Sequence, residues 1–245
     1  MKTRIALSEE GEEIIIKDIT VQKHTTYGYF SPNDLKKKAG TIIKTNTGKP
    51  FIILDADFKD MHSRIKRHAQ VITTKDIGMI IAETGITKTS TVIDAGTGSG
   101  ALCCFLAAVA KKVTSYDKDA RSIEAGTTNK KALNLKNLII KEADVTQPNA
   151  ITEKNVDVII LDLPEPWNAL DNAVSALRPG GRLVCYSPHT TQTLETVNMA
   201  KIKGLIVTRS IELIQREWIF EGKKARPDFK GLGHTGFLTF FRKRS

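Results

Sequence analysis

Residues 91–110 constrain this chain most. Thr91-Val92-Ile93 is a short β-branched run, followed by Asp94 and the turn Gly96-Thr97-Gly98-Ser99-Gly100. Residues 101–110 then carry apolar side chains at helical spacing and are rich in helix formers. Strand, glycine turn and helix in that order form the first half of a βαβ unit that binds a nucleoside cofactor. Glycine lets the backbone approach a ligand and take φ > 0 without a Cβ clash. The start of the helix offers N–H groups with no intrahelical partner.

The glycines alone leave the cofactor open. Gly96-x-Gly98-x-x-Ala101 also satisfies the dinucleotide fingerprint, so NAD is a candidate. The acidic residues point elsewhere. Asp94 precedes the glycines by two positions, where a carboxylate meets an ammonium group directly or through water. Residues 113–116 read as a second strand ending at Asp117, which suits two ribose hydroxyls. A third strand ends at Asp144, an acceptor for an adenine amino group. A fourth, 156–161, ends at Asp162 and runs into Leu163-Pro164-Glu165-Pro166-Trp167. A nicotinamide enzyme has no general use for that loop. Enzymes that methylate base nitrogens often carry an acid or amide there, followed by prolines and an aromatic. Together these features favour S-adenosyl-L-methionine.

From residue 91 onward the pattern alternates. Strands are expected at 91–95, 112–117, 138–144, 156–163 and 181–187, with helices at 101–111, 120–132, 169–177 and 190–203. Arg178-Pro179-Gly180-Gly181 reads as a stop and turn. Strands at 206–214 and 237–242 complete a seven-stranded, mostly parallel α/β sheet of Rossmann-like type, with helices on both faces. Before it, Thr73 and Asp76 suggest a capping box for a helix running to about Glu83 and stopping at Gly85. Residues 1–60 differ: β-branched or apolar runs at 14–16, 41–45 and 51–54 alternate with turn residues. They are expected to form a small β domain, leaving 61–245 as the cofactor domain.

The 245-residue chain carries a formal net charge of +10, which favours a polyanionic partner, nucleic acid first. Lys36-Lys37-Lys38 place part of that charge in the β domain, for an RNA backbone or for plain solvation. Cys103, Cys104 and Cys185 lack metal-ligand spacing and read as buried small hydrophobes in a reducing compartment. No apolar run approaches the ~20 residues of a membrane span. The N-terminus leads into a charged segment, so a cytoplasmic protein without metal is expected.

The chain resembles the tRNA (adenine-N1)-methyltransferase family that modifies the T-loop, in its homo-oligomeric archaeal and bacterial form. The resemblance runs nearly end to end: Gln70-Val71-Ile72, Lys75-Asp76, the stretch from Asp94 to Leu102, Ser115-Tyr116-Asp117, and the loop from Leu161 to Trp167. It continues through Arg216-Glu217-Trp218, Arg226-Pro227 and His234-Thr235-Gly236-Phe237-Leu238. The proline–tryptophan loop and the His-Thr-Gly-Phe tail are its more specific parts. Two features depart from the family: Thr73-Thr74 replace a common Tyr or His, often followed by Pro, near the target base, and Asp117 replaces a usual Glu.

The resemblance implies methyl transfer to N1 of adenine 58 in tRNA, in archaeal members also adenine 57, and a homotetramer. It implies a class I S-adenosylmethionine-dependent fold with the cofactor against Gln70, Asp94, Gly96, Thr97, Gly98, Ser99, Gly100, Ala101, Leu102, Asp117, Asp144 and Asp162. Asp162 is the candidate catalytic residue: its carboxylate would stabilise positive charge developing on the adenine, and secondarily remove an N6 proton. Thr73, Pro164, Trp167, His189, Gln192 and His234 are candidates for the acceptor side. Trp167 either stacks on a base or packs beneath the loop, the second reading being preferred. His189 with Gln192 lines a pocket or caps a helix, and His234 is read as structural. An acceptor of another kind, or a non-catalytic RNA-binding subunit, are the competing functions.

Overall fold

A computed structural model describes residues 3–67 and 70–245. The first unit contains β1 (Arg4–Leu7), β2 (Glu13–Ile16), β3 (Lys23–Thr25), β4 (Gly28–Phe30), α1 (Pro32–Leu35), β5 (Ile42–Lys44), β6 (Pro50–Asp55) and α2 (Phe58–His62). The strands β2-β1-β6-β5 form an antiparallel sheet and β3–β4 a hairpin. Alternation on these strands buries Ala6, Ile16, Ile43, Phe51 and Ile53 with Phe30, whose ring meets Phe51 edge-on at 5.1 Å. The unit ends at Arg64 rather than at residue 60. A cut at 60 would divide α2, where Asp57 and Asp60 form a reciprocal capping box.

The second unit begins at Ile65. Its elements are α3 (Thr74–Thr84), β7 (Thr91–Ala95), α4 (Ala101–Val109), β8 (Lys112–Asp117), α5 (Ala120–Ala132), β9 (Leu138–Glu142) and β10 (Val156–Leu161). A 3₁₀ turn (Pro166–Ala169) leads into α6 (Leu170–Ala176), β11 (Leu177–Ser187), α7 (Thr190–Ile202) and β12 (Leu205–Glu212). The hairpin β13 (Trp218–Glu221) and β14 (Lys224–Pro227) precedes β15 (Phe237–Lys243).

The strand order is β12-β15-β11-β10-β7-β8-β9. Five strands from β11 to β9 are parallel, and β15 lies antiparallel between β11 and β12. The seven-stranded, mostly parallel sheet is therefore the one expected. Period-two alternation sorts its residues onto two cores. Val92, Val158, Ile160 and Val184 face α3 and α4 on one side, while Ile93, Ile159, Leu161 and Leu183 face α6 and α7 on the other. Each such fully buried aliphatic side chain contributes about 1.5–3 kcal/mol.

Several limits differ from expectation. β9 stops at Glu142 and β10 at Leu161, so Asp144 and Asp162 lie beyond their strands. The chain turns there because Asp144 folds back on Thr146, its carboxylate accepting from Thr146 N at 3.1 Å and Oγ1 at 2.7 Å. Residues 178–181 interrupt no strand end. Leu177 pairs with Val156 and Arg182 with Val158, so the turn signal is realised as a bulge inside β11. The β13–β14 hairpin has no counterpart among the expected strands.

Candidate functional site

The chain runs outward from β7 through β8 to β9 and then crosses back to β10, so the order reverses between β7 and β10. Ligands of open α/β sheets bind outside the carboxyl ends of the strands at such a point. A cavity of about 440 Å³ opens there, lined by Gly96, Asp117, Asp144, Asp162 and Pro164 among others. Tyr116 forms part of its floor, held by Glu153 and by Lys141, whose ammonium pairs with Glu153 at 2.7 Å. Lys118, Val145, Thr146 and Asn168 also face it. Sequence reasoning did not place these four; they flank the acidic strand ends, which was the available signal.

Gly96 is fixed by close approach. Asp162 N donates to Ala95 O at 2.8 Å, extending the β7–β10 ladder past both strands. That brings Asp162 O to 2.1 Å from where a Cβ on Gly96 would stand, at φ +100°. A second tight contact sits behind the loop, where a Cβ on Gly126 of α5 would meet the Thr97 side chain at 2.7 Å. The loop is bonded to itself and to β8, contrary to the expectation of free amides. Gly96 N and Thr97 N donate to Tyr116 O, Gly98 N to Asp117 Oδ2, and Gly100 N to Thr97 O. Its contribution is shape. Ser99 O accepts from Asn129 of α5 at 2.8 Å, and Ala101 and Leu102 bury their side chains.

The acids differ sharply in setting. Asp117 accepts from Gly98 N and Asp119 N, both at 2.9 Å. Bonds from Thr146 hold the Asp144 carboxyl below its ordinary range, with Lys118 adding at 3.4 Å. Burial pushes Asp162 up to about 7, assisted by the charge of Asp117. Asp94 is fully buried behind the loop and does not line the cavity. Its Oδ2 accepts from Ser115 Oγ at 2.7 Å, while Oδ1 has no partner among the described residues. Burial raises it to about 8, against the Ser115 bond and with the charges of Asp162 and Asp117 adding.

The remaining candidates lie around this centre. Gln70 is exposed and does not line the cavity. Thr73 precedes α3, but its hydroxyl donates to the Asp76 carboxylate at 2.8 Å instead of accepting an N–H, so the expected capping box does not form. Asp76 is fully buried and collects Thr73, Lys75 and Thr235, so its acceptors are already committed to side chains. Thr73, Thr74 and Lys75 also line a second cavity of about 390 Å³, opposite Gln215, Glu217 and Lys230. Trp167 packs on the core shared with α6 and α7. Gln192 accepts from His189 N at 3.1 Å and donates to Pro164 O at 2.8 Å, tying α7 to the loop after Asp162. His234 bridges Glu212 and Pro188 O, and Glu212 raises its imidazole above the ordinary value. Gly236 lies against the ring of Tyr186, whose hydroxyl donates to Thr235 O at 2.6 Å.

The cavity suits a cationic nucleoside cofactor: acceptors for hydroxyl and amino groups, a glycine where any side chain would collide, and at Asp162 and Asp94 buried carboxyls that pair with no cation among the described residues. A family model described as tRNA methyltransferase complex GCD14 subunit matches residues 62–228. The tRNA (adenine(57)-N(1)/adenine(58)-N(1))-methyltransferase TrmI of Methanocaldococcus jannaschii is 34% identical over 98% of this chain and 94% of its own length. The chain belongs to the tRNA (adenine-N1)-methyltransferase family.

The tRNA (adenine(58)-N(1))-methyltransferase TrmI of Thermus thermophilus is 31% identical over 85% of this chain and 83% of its own. Among solved structures, a SAM-dependent O-methyltransferase from Thermotoga maritima superposes with a TM-score of 0.90 at 28% identity, covering 100% of this chain and 93% of that one. The tRNA (m1A58) methyltransferase TrmI of Aquifex aeolicus gives 0.83 at 21% identity, covering 100% and 97%, and shows the shared fold. The cofactor of this methyltransferase is S-adenosyl-L-methionine. Among the described residues no group of three or more His, Cys, Asp or Glu converges as a metal site, and no helix is long and apolar enough to cross a membrane.

Gln192 gives the methyltransferase a measurable support. Gln192→Ala removes two exposed hydrogen bonds but no core contact. Stability is expected to fall by about 1 kcal/mol or less, while KM for the acceptor rises several-fold because the Pro164 loop loses its tie. Thermal melting and steady-state kinetics on one preparation check the pair.

Proposed function

We propose that the chain transfers the methyl group of S-adenosyl-L-methionine to N1 of adenine 58 in the T-loop of tRNA, with adenine 57 as a second acceptor position. The observation that carries this reading is the Asp162 carboxyl, facing the cavity at the β7–β10 crossover and followed by the braced Pro164 loop. The relatives named for this reaction, and the net charge of +10, support the acceptor.

When bound, the cofactor supplies an electrophilic methyl on a sulfonium. Asp117 would take its ribose hydroxyls and Asp144 its adenine amino group, and Gly96 leaves room for it. Adenine N1 is unprotonated at neutral pH and needs alignment more than a base. Positioning of that kind lowers barriers by ~7–11 kcal/mol in good cases. As positive charge grows on the acceptor ring, Asp162 stabilises it at N6 and then accepts the N6 proton. The target base must leave the folded tRNA elbow, so base flipping is part of the cycle. Lysines of the first unit, such as exposed Lys36 and Lys38, would hold the phosphate backbone. A cytoplasmic homotetramer completes the proposal.

A second acceptor class is raised by the Thermotoga maritima neighbour, described as an O-methyltransferase. An alcohol oxygen must lose its proton during attack, whereas adenine N1 has none to lose. Labelled cofactor with an unmodified tRNA transcript, followed by primer extension, separates the two. A reverse-transcriptase stop at adenine 58 or 57 is expected, because the methyl blocks the pairing edge. Cofactor turnover with no T-loop stop would refute the assignment.

A further inference from the structure

The ends of β10, β7 and β8 bring Asp162, Asp94 and Asp117 together at three neighbouring strands. We infer that Asp162 and Asp94, beside Asp117, act as one site that holds a proton in the free protein and releases it when the cationic cofactor enters, whereas the uncharged thioether product leaves the proton in place. The inference rests on the reading of this cavity as the S-adenosylmethionine site.

Geometry carries it. Asp94 is fully buried, and its Oδ1 meets no donor among the described residues. The groups facing it are Ser115 on β8, hydrogen-bonded in turn to Thr97 of the loop at 2.7 Å, and the Cys103 thiol on α4. The ionisable groups acting on it by charge are Asp162 and Asp117, both acids. Asp162 faces Asp117 and, from β11, Tyr186, whose hydroxyl is committed to Thr235 O. The nearby ammonium groups are engaged elsewhere: Lys118 with Asp144, Lys75 with Asp76, Lys141 with Glu153. A buried carboxyl with anionic neighbours and no cation is most stable neutral. Burial already raises Asp162 to about 7 and Asp94 to about 8.

A positive charge in the cavity reverses that balance, and by linkage the proton leaves. The charges and atoms close over a turnover. The methyl moves from sulfur to N1, the positive charge moves to the acceptor, and the acceptor's N6 proton returns to the cluster through Asp162. The site is then re-protonated beside a product that no longer neutralises it, which favours release of product over cofactor.

Calorimetric titration of the full chain at pH 7 in phosphate and in Tris tests this, with S-adenosylmethionine and S-adenosylhomocysteine as ligands. Both ligands carry the same amino acid group, so its own titration largely cancels between them. For the cofactor, the binding heat should differ between buffers by the ionisation heat of about half a proton or more. For the product it should not differ. Between pH 6 and 7.5 the cofactor's Kd should tighten by about eightfold, as a group titrating near 7 requires, and the product's Kd by less than twofold. Asp94→Asn keeps an acceptor for Ser115 and should bind cofactor with less proton release. Buffer-independent heats for the cofactor, or equal proton release with both ligands, would overturn the inference while leaving the cofactor site intact. Absence of binding by either ligand would remove the cofactor reading itself, and the inference with it.

Discussion

Replacing Asp162 by Ala should lower turnover on tRNA by about 10²–10³-fold, the usual loss for one preorganised charge-stabilising group. Cofactor affinity should change by less than about tenfold, since Asp117, Asp144 and the glycine loop are untouched. The fold should survive as well: the Asp162 backbone N–H, which extends the β7–β10 ladder to Ala95 O, is kept. The pH profile gives a sharper signature. The carboxyl is pushed up to about 7, and only its ionised form can stabilise positive charge on the acceptor. So kcat/KM of the parent protein should rise as pH climbs from about 6 to 8, and that limb should vanish in the variant. Single-turnover rates with cofactor held well below its Kd, measured across pH, decide the matter. An Ala variant within threefold of the parent would end the catalytic assignment.

Gly96→Ala is the second large effect. A methyl at this position would lie 2.1 Å from Asp162 O, a backbone atom that cannot rotate away. The residue also sits at φ +100°, where a side chain is strained in open space too. Left-handed strain alone costs of order 1–3 kcal/mol, and the collision forces β7 and β10 apart where the cavity opens. Cofactor binding should fall below detection at millimolar ligand, with a lowered melting temperature. Gly85→Ala is the matched control: it also has positive φ, +67°, but its Cβ would meet nothing within 4 Å. It should lose stability without losing the cofactor.

The sheet was legible because its signals are local and repeated. β-branched runs ending in an acid recur at Asp94, Asp117 and Asp162, and period-two alternation within them sorts the two cores. The N-cap position of α3, Thr73, was legible, but its bonding was not. Thr73 and Asp76 have capping-box spacing, but Asp76 is occupied by Thr235, a residue 159 positions away that no local pattern reveals. The site was readable in its acids and not in their environments. Nothing in the string distinguishes Asp94, sealed behind its loop, from Asp144, held by Thr146 at the cavity wall. Those differences arise from which strands become neighbours. The self-bonded loop was missed for the same reason, since Tyr116 O and the Asp117 carboxylate reach it from the adjoining strand.

The placement of β15 has a consequence for how the chain must be made. Its residues 237–243 sit between β11 and β12, pairing with both. A ribosome that has emitted everything up to Glu212 has therefore produced a strand, β12, with nowhere to dock, and has left one edge of β11 bare. Pairings this distant in sequence form slowly, and open edges invite association with other chains. The sheet is thus finished by insertion rather than by accretion. During synthesis, the interval between residues 212 and 237 is the period in which chaperone protection matters most, and a ribosome pausing there would leave that edge open longest.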